Sequence, residues 1–534
     1  MIRKQGDILI NKKESFLESV LSLIFSQFVI KILGLTYSMY LINKEGFGDS
    51  GNSIYMGGYQ IYVLLLTISS IGVPNAVAKL VSEREATKDY KGIDKVFKFA
   101  LFIFSMIGFI GSIILFLFAK KIANNFLLIP ECEYSLIALA PSIFFVAILS
   151  VIRGYFNGLN QISKTAKSQT IEQFFKAFFT IGLVQIISMY HENTVAMASV
   201  ANFASTFAVL ISLIYIFINC ILFRKNQRNM EILKTPIKSK EKNIKIIKDI
   251  FMVSMPITIS AILCNLNKNI DSFTVVRILT PILGEASAKL RYGILSSKID
   301  MLTVMPLSFN IALSTALVPE ISSLIAKNDF ASINKKIYFS LLLTTAISFP
   351  CALGLSLYSK EILLLLFPNA SKGGDLLKVS AFCIIFMMFV QTIGGVLHGI
   401  GKTRITVIAM FVGVIIKLIS NIMLIPIYNL YEKGAVIGNF LSNIVIFIIM
   451  WNALKQNIKL NFNIYSLILK PLFSSIIMIL LSYCANFCLI KCGISEKISI
   501  IITIIVAIFI YVFLLLIFKV FSKNDVYFVL DKDK

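Results

Sequence analysis

The sequence predicts an all-α integral membrane protein of about 14 transmembrane helices, built as two parallel-repeat six-helix lobes plus a C-terminal helix pair. Three observations lead there. Of 534 residues, 57% are hydrophobic and only 15% charged, and the mean hydropathy is +0.84, too apolar for a water-soluble globule. Apolar runs close to the roughly 20 residues that cross a hydrocarbon core recur along the chain, without the two-residue alternation of a β-barrel. The sequence also repeats itself after about 240 residues.

Taken in order, the spans fall at 16–42, 54–78, 96–119, 134–158, 166–188, 195–223, 250–276, 298–319, 337–358, 377–400, 404–427, 434–454, 466–490 and 498–520. The first is longer than a signal-peptide core and is followed by no small-x-small cleavage pattern, so it is expected to stay in the mature protein. The expected organisation is a cytoplasmic segment 1–15, an N-lobe 16–223, a basic cytoplasmic linker 224–249, a C-lobe 250–454, an appended pair within 455–521 and a cytoplasmic tail 522–534. Gly57-Gly58, Pro74, Pro141, Pro256, Pro306, Pro350 and Gly394-Gly395 fall inside spans. They mark either broken helices lining a cavity or simple close packing, and packing is the commoner reason.

The net charge of +23 would suggest nucleic acid in a soluble protein. Its distribution excludes that partner. With the N-terminus inside and each edge charge assigned to its nearer side, inside segments hold 34 of the 51 Lys and Arg, outside loops hold 11, and six lie in or at the edges of spans. This asymmetry is the positive-inside signal, and it places both termini in the cytoplasm.

The repeat is visible in short matches. Phe156-Asn-Gly-Leu-Asn-Gln-Ile-Ser-Lys-Thr165 corresponds to Leu397-His-Gly-Ile-Gly-Lys-Thr-Arg-Ile-Thr406 at an offset of 241, which also puts Lys176 on Lys417. Asp89-Tyr90 with Ile93 and Lys95 matches Asp329-Phe330 with Ile333 and Lys335 at 240. Ile71-Gly-Val-Pro-Asn75 matches Ala316-Leu-Val-Pro-Glu320 at 245, a five-residue slip assigned to a polar loop. Six helices per unit would return the chain to the same side, so the halves are expected to be parallel repeats with the substrate between them.

Ionisable residues inside spans are the candidate site. A charge at mid-membrane costs roughly 2.5 to 3.5 kcal/mol and normally faces a wet cavity or a partner. Lys31 sits deep in the first span. At an offset of 240 it falls on Asp271, and Tyr37 falls on Arg277. The seventh span carries Asn265, Asn267, Lys268, Asn269, Asp271, Ser272 and Arg277, and Lys298 with Asp300 opens the eighth. The expected site is a cationic, substrate-binding cavity of Lys31, Arg277 and Lys298, with Asp271 as counter-charge or coupling residue. The competing reading is structural pairing of Asp271 with Lys31 or Lys268. Lys176 and Lys417 are read as lysines that snorkel to an interface, and Glu172 as interfacial.

Enzymatic chemistry finds no motif. His191 and His398 stand in no metal-ligand pattern, there is no phosphate-binding Walker loop, and no metal or organic cofactor is expected. Among eight cysteines, Cys484, Cys488 and Cys492 form an i, i+4, i+8 stripe. A soft metal would fit such a stripe, but packing against a neighbouring helix is the simpler reading.

Several stretches taken together resemble a known family. Lys31-Ile-Leu-Gly34, Tyr59-Gln-Ile-Tyr62, Leu66-Thr-Ile-Ser-Ser-Ile-Gly-Val-Pro74 and Lys79-Leu-Val-Ser-Glu83 are similar to the N-terminal signature of the polysaccharide biosynthesis and stage V sporulation protein B branch of the multidrug/oligosaccharidyl-lipid/polysaccharide (MOP) exporter superfamily, which includes the MurJ lipid II flippases. Asn269-Ile-Asp-Ser272, Tyr292-Gly-Ile-Leu-Ser296 and Ala316-Leu-Val-Pro-Glu-Ile-Ser322 agree, over roughly 16–455. The resemblance implies a two-lobed, V-shaped bundle that moves a polyprenyl-diphosphate-linked glycan, such as a lipid II-like cell-wall precursor, across the bilayer by alternating access. It also implies a basic residue at Lys31. A second basic residue six positions later in the relatives is Tyr37 here, so that part of the pattern fails, and Arg277 is the expected substitute.

A basic cavity suits a diphosphate, whose outward movement is favoured by about 2.3 kcal/mol per charge per 100 mV of inside-negative potential. Energy is expected from that potential or from proton or sodium coupling through Asp271. Cell-wall synthesis proteins are the candidate protein partners. Two alternatives stay open: export of another lipid-linked polysaccharide unit, and a cation or drug antiporter of the same superfamily, in which acidic residues would dominate the cavity.

Overall fold

The computed structural model describes residues 16–70, 72–87, 89–159, 161–190, 193–231, 243–326, 329–458 and 465–521. Among them every regular element is helical: α1 Phe16–Asn43, α2 Gly48–Ser70, α3 Gly72–Ala86, α4 Tyr90–Lys121, α5 Cys132–Gly158, α6 Ile162–Tyr190, α7 Thr194–Glu231, α8 Asn243–Leu283, α9 Glu285–Gly293, α10 Asp300–Val304, α11 Leu307–Ala326, α12 Phe330–Leu357, α13 Ser359–Leu366, α14 Gly374–Ser380, α15 Cys383–Gly399, α16 Thr403–Leu424, α17 Glu432–Asn457, α18 Lys470–Lys491 and α19 Glu496–Ile517. Short π-helical turns at Ile122–Leu127, Ile294–Ile299 and Tyr465–Leu469 join some of them.

Ten helical stretches among the described residues are long and apolar enough to cross a membrane. The other four expected spans, the first two of each lobe, are also helical, at α1, α2–α3, α8 and the broken run Ile294–Ala326. Buried polar side chains on them include Thr67, Asn269, Asp271 and Lys298. The opposite extreme is α4, with Phe102, Phe116 and Leu117 more than half exposed, as befits a helix at the rim of a bundle in lipid.

The chain divides into two compact units, with the boundary between Ser272 and Phe273 inside α8. That is later than the basic stretch 224–249 expected as the linker. Residues 232–242 of that stretch, and with them Lys238, lie outside the described residues. Ile246 and Ile250, at the start of α8, join the core of the first unit beside Val77, Val81, Tyr155 and Phe156. The core of the second unit gathers Leu317, Ile321, Ile393, Val396, Leu397 and Met450.

The repeat is legible in packing. A Cβ on Gly154 would meet the Pro74 carbonyl oxygen at 2.7 Å, and one on Gly395 would meet that of Ser314 at 2.8 Å. Likewise Gly158 lies against Ala78 and Val81, and Gly399 against Val318 and Ile321. Asp89 caps α4 by accepting from the Gly92 N–H, and Asp329 caps α12 by accepting from the Ser332 N–H. These contacts keep an offset of 240 or 241 throughout, so the counterpart of Pro74 is Ser314 and not Pro319. The 245-residue motif match is therefore displaced, and no slip occurs.

Most of the residues expected to break helices do not interrupt them. Gly57, Gly58, Pro141, Pro350 and Gly394-Gly395 all lie within continuous helices, whereas Pro306 falls in the break between α10 and α11. Gly57 and Gly58 let α2 close on Cys132 and Ser135 of α5, where a Cβ would come within 2.8 Å of each. Cys484 and Cys488 on α18 and Cys492 just past its end are exposed, which corrects the expectation that they pack against a neighbour. A stripe at i, i+4 and i+8 needs only one face of a helix, and here that face is the outer one.

Candidate functional site

In the first unit α1 and α6 are joined along their length by polar contacts. At one end Ser26 Oγ donates to the Ala166 carbonyl oxygen at 3.1 Å and lies 2.8 Å from Thr170 Oγ1. At the other, Tyr40 Oη and Lys44 Nζ both donate to Gln185 Oε1, at 2.6 and 3.0 Å. Between them lies Lys176, whose ammonium is buried at 4% exposure instead of reaching for an interface.

What surrounds that ammonium is aromatic. Lys176 Nζ lies 4.1 Å from the ring centroid of Tyr59 and 5.2 Å from that of Tyr37. Tyr55 stacks on Tyr59 at 5.8 Å with an interplanar angle of 10°, and Tyr62 follows at 5.7 Å from Tyr59. The spacing explains the cluster, because positions 55, 59 and 62 fall on one face of α2. A desolvated cation over an aromatic face gains about 2 kcal/mol. Two such faces are of the order of the insertion penalty for a lysine at mid-membrane, roughly 2.5 to 3.5 kcal/mol. Thr180 Oγ1, one turn beyond Lys176, is buried without a hydrogen-bond partner among the described residues.

Lys31 belongs to the same helix as Tyr37 but to another side of it. At about 100° per residue it is turned about 140° from Ser26 and about 120° from Tyr37, away from the face that packs on α6. It is partly buried, and a Cβ on Gly34, three residues on, would meet nothing within 4 Å. Asp271 is buried in α8 at 7% exposure. Around it, Asn265 Nδ2 donates to Thr67 Oγ1 at 2.6 Å, Asn269 Nδ2 donates to the Asn265 carbonyl oxygen, and Ser272 Oγ donates to the Asn269 carbonyl oxygen. The polar run of the seventh span is thus partly spent on tying α8 to α2. The side chain of Lys268 lies outside the described residues.

In the second unit the two expected cations have different surroundings. Arg277 is exposed. Lys298 is fully buried, and its Nζ donates to the carbonyl oxygens of Ala370 and Lys372 at 2.6 and 2.9 Å, which holds the 370–372 turn. Lys417, the repeat counterpart of Lys176, is also buried, one turn from an Asn421 side chain that donates to Thr274 Oγ1 at 2.9 Å. Glu172, expected at an interface, is instead paired with Arg153 at 2.8 Å, and Arg153 also donates to Ser168 and Ser212. This charge pair was not foreseen because its members lie 19 residues apart on two helices.

A family model described as polysaccharide biosynthesis protein matches residues 16–325. The chain belongs to that family. A second model, MatE, matches 256–423, and the two together with the relatives place the chain in the MurJ-like branch of the MOP exporter superfamily. The lipid II flippase MurJ of Bacillus subtilis (strain 168) is 24% identical over 434 residues, covering 78% of each chain. Stage V sporulation protein B of the same organism is 25% identical over 407 residues, covering 76% of this chain and 77% of its own. Among solved structures, a lipid II flippase MurJ in an inward closed conformation superposes with a TM-score of 0.67 at 18% identity, covering 93% of this chain and 98% of its own. An inward-facing MATE multidrug transporter superposes at 0.63 and 13% identity, covering 82% and 98%. The fold is therefore that of MOP transporters, and the protein is a multi-pass membrane protein.

The cluster that sequence reasoning missed is Tyr37, Tyr55, Tyr59 and Lys176. Its signal was present as tyrosines at i, i+4 and i+7 of one span and a lysine inside another, but nothing in the sequence pairs those spans.

Proposed function

We propose that this protein is a flippase that carries a polyprenyl-diphosphate-linked glycan, of the lipid II-like cell-wall precursor class, from the inner to the outer leaflet by alternating access. The observation that carries this reading is the ammonium of Lys176 beside Tyr37. Tyr37 stands where the resembling flippases have their second basic residue, and a neighbouring helix of the same unit brings a cation to that place. With Lys31 on the same helix, α1 and α6 together present two positive charges on different sides of α1, suited to a diphosphate that is handed along as the transporter changes state. Asp271, in the same unit, is the counter-charge or coupling site in this proposal, and Arg277 is a further basic candidate. Lys298 is reassigned to holding the 370–372 turn.

Both termini are cytoplasmic in this reading, and the inside-negative potential favours outward movement of the anionic head group by about 2.3 kcal/mol per charge per 100 mV. The match to the MatE model supports a cation or drug antiporter as the second reading. Basic residues outnumber acidic ones at the interior positions, which favours an anionic substrate over that alternative.

A charge-relocation experiment tests the proposal. In cells depleted of other flippases, lipid II accessibility at the outer surface is measured for Lys31→Ala, for Lys176→Ala and for Lys176→Ala combined with Tyr37→Lys. Each single change is expected to abolish flipping with the protein still in the membrane, and the combination is expected to restore it. Wild-type rates in both single variants would remove the diphosphate role. Recovery of a Lys31→Ala loss by Asp271→Asn would assign Lys31 to a structural ion pair instead.

A further inference from the structure

Turns and helix ends at one end of the second unit line an open cavity of about 720 Å³. It lies between Leu290, Arg291 and Ile294 at the end of α9, the start of α13 at Lys360, the 371–376 turn, and the 429–433 turn that opens α17. That volume is within the range of small-molecule sites, roughly 300 to 1,000 Å³.

Its walls are held in place by specific contacts. Arg291 forms an ion pair with Glu432 and lies 5.0 Å from the ring centroid of Tyr431. Tyr431 takes φ 42° and Asn429 takes φ 67°, left-handed conformations that cost a non-glycine residue about 1 kcal/mol or more. The strain delivers the Tyr431 ring and the Glu432 carboxylate to the same guanidinium. Across the cavity Gly373 takes φ 115°, and a Cβ on Gly374 would meet Cγ of Lys360 at 2.6 Å, so the Lys360 stem is packed on bare backbone. Lys298 donates to the carbonyl oxygens of residues 370 and 372, which fixes the turn that carries Lys372.

The charge balance follows. Arg291 and Glu432 neutralise each other. Lys360, Lys372 and Lys433 line the cavity with no ion pair among the described residues, and Asp375 is the remaining acid. Three lysines against one carboxylate leave a net charge of +2 among the residues that line the space.

We propose that this cavity binds a phosphate-bearing dianion, of the size of inorganic diphosphate or a diphosphate head group, through Lys360, Lys372 and Lys433. Lysines serve a phosphate as point charges and need no fork geometry, so three on flexible stems can close around tetrahedral groups of either source. In the proposed orientation these turns lie on the outer side of the membrane. The inference stands apart from the flippase reading, since a binding site here is compatible with any transported substrate.

The test uses the full chain in nanodiscs of zwitterionic lipid, titrated with inorganic diphosphate by calorimetry. Saturable binding that weakens steeply with added salt is expected, with affinity at least tenfold lower in the triple variant Lys360→Gln, Lys372→Gln, Lys433→Gln. Asp375→Asn is expected to tighten binding severalfold, a gain that a misfolded protein cannot give. A short-chain polyprenyl diphosphate placed in the nanodisc then separates the sources: displacement of free diphosphate assigns the site to a lipid head group, and undiminished binding assigns it to a soluble anion. No saturable binding to the wild type, or the same affinity in the triple variant, would overturn the proposal.

Discussion

Lys176 shows how a charge can be kept inside a membrane bundle without a carboxylate. Its ammonium faces the rings of Tyr59 and Tyr37 at 4.1 and 5.2 Å. If the ring faces hold it, the hydroxyls matter less than the π systems. Tyr59→Phe is then expected to leave thermal stability in detergent near wild type. Tyr59→Leu removes one face and is expected to cost about 1 to 2 kcal/mol, seen as a fall in the unfolding midpoint. Equal losses in both variants would move the interaction to the hydroxyl. Lys298 illustrates the other solution, two backbone carbonyls at 2.6 and 2.9 Å. From sequence these lysines looked alike, because both are cations in or beside apolar runs and their partners lie on other elements.

At the scale of elements, the helix contacts that recur in both units rest on glycines. Gly158 on α5 is tighter than its counterpart: a Cβ there would stand 2.7 Å from both the Ala78 carbonyl oxygen and Val81 Cβ, whereas on Gly399 it would stand 2.9 Å from Ile321 Cβ and 3.2 Å from the Val318 carbonyl oxygen. Backbone cannot yield as a flexible side chain can, and overpacking of this kind costs about 1 to 3 kcal/mol. Gly182 on α6 is the control, with nothing within 4 Å of its Cβ position. Unfolding midpoints are expected to fall most for Gly158→Ala, less for Gly399→Ala, and to stay level or rise for Gly182→Ala, where helix propensity favours alanine. Any other order would mean that these contacts do not limit helix approach. The Asp89 and Asp329 caps, by contrast, were readable in advance as one repeated dipeptide, because capping is local chemistry.

For the whole molecule, orientation is the property to check. The excess of basic residues on one side predicts that a cysteine at Asn125 reacts with an impermeant thiol reagent added to intact cells, while one at Thr87 does not. Both positions are exposed. Native Cys132 needs no removal for this experiment, since it is fully buried with its Sγ against the Ile54 carbonyl oxygen. Cys492, exposed at the end of α18, does need it. Reaction at Thr87 without reaction at Asn125 would invert the topology and with it the direction assigned to transport.

Sequence by itself determined the class of this protein, because mean hydropathy, span length and the placement of lysines and arginines are sums over the chain that need no coordinates. It also determined the repeat at Gly158 and Gly399 and at Asp89 and Asp329, where turns and caps are written in adjacent residues. Only the tertiary structure decided what each interior charge does. Lys176 and Tyr59 are separated by more than a hundred residues, as are Arg291 and Glu432, and whether a cation meets a ring, a carboxylate or a carbonyl depends on which faces of which helices meet. The register of the second repeat was decided there too: Pro74 and Pro319 look alike in sequence, yet it is Ser314 that meets Gly395 as Pro74 meets Gly154, because close approach of backbones selects by shape.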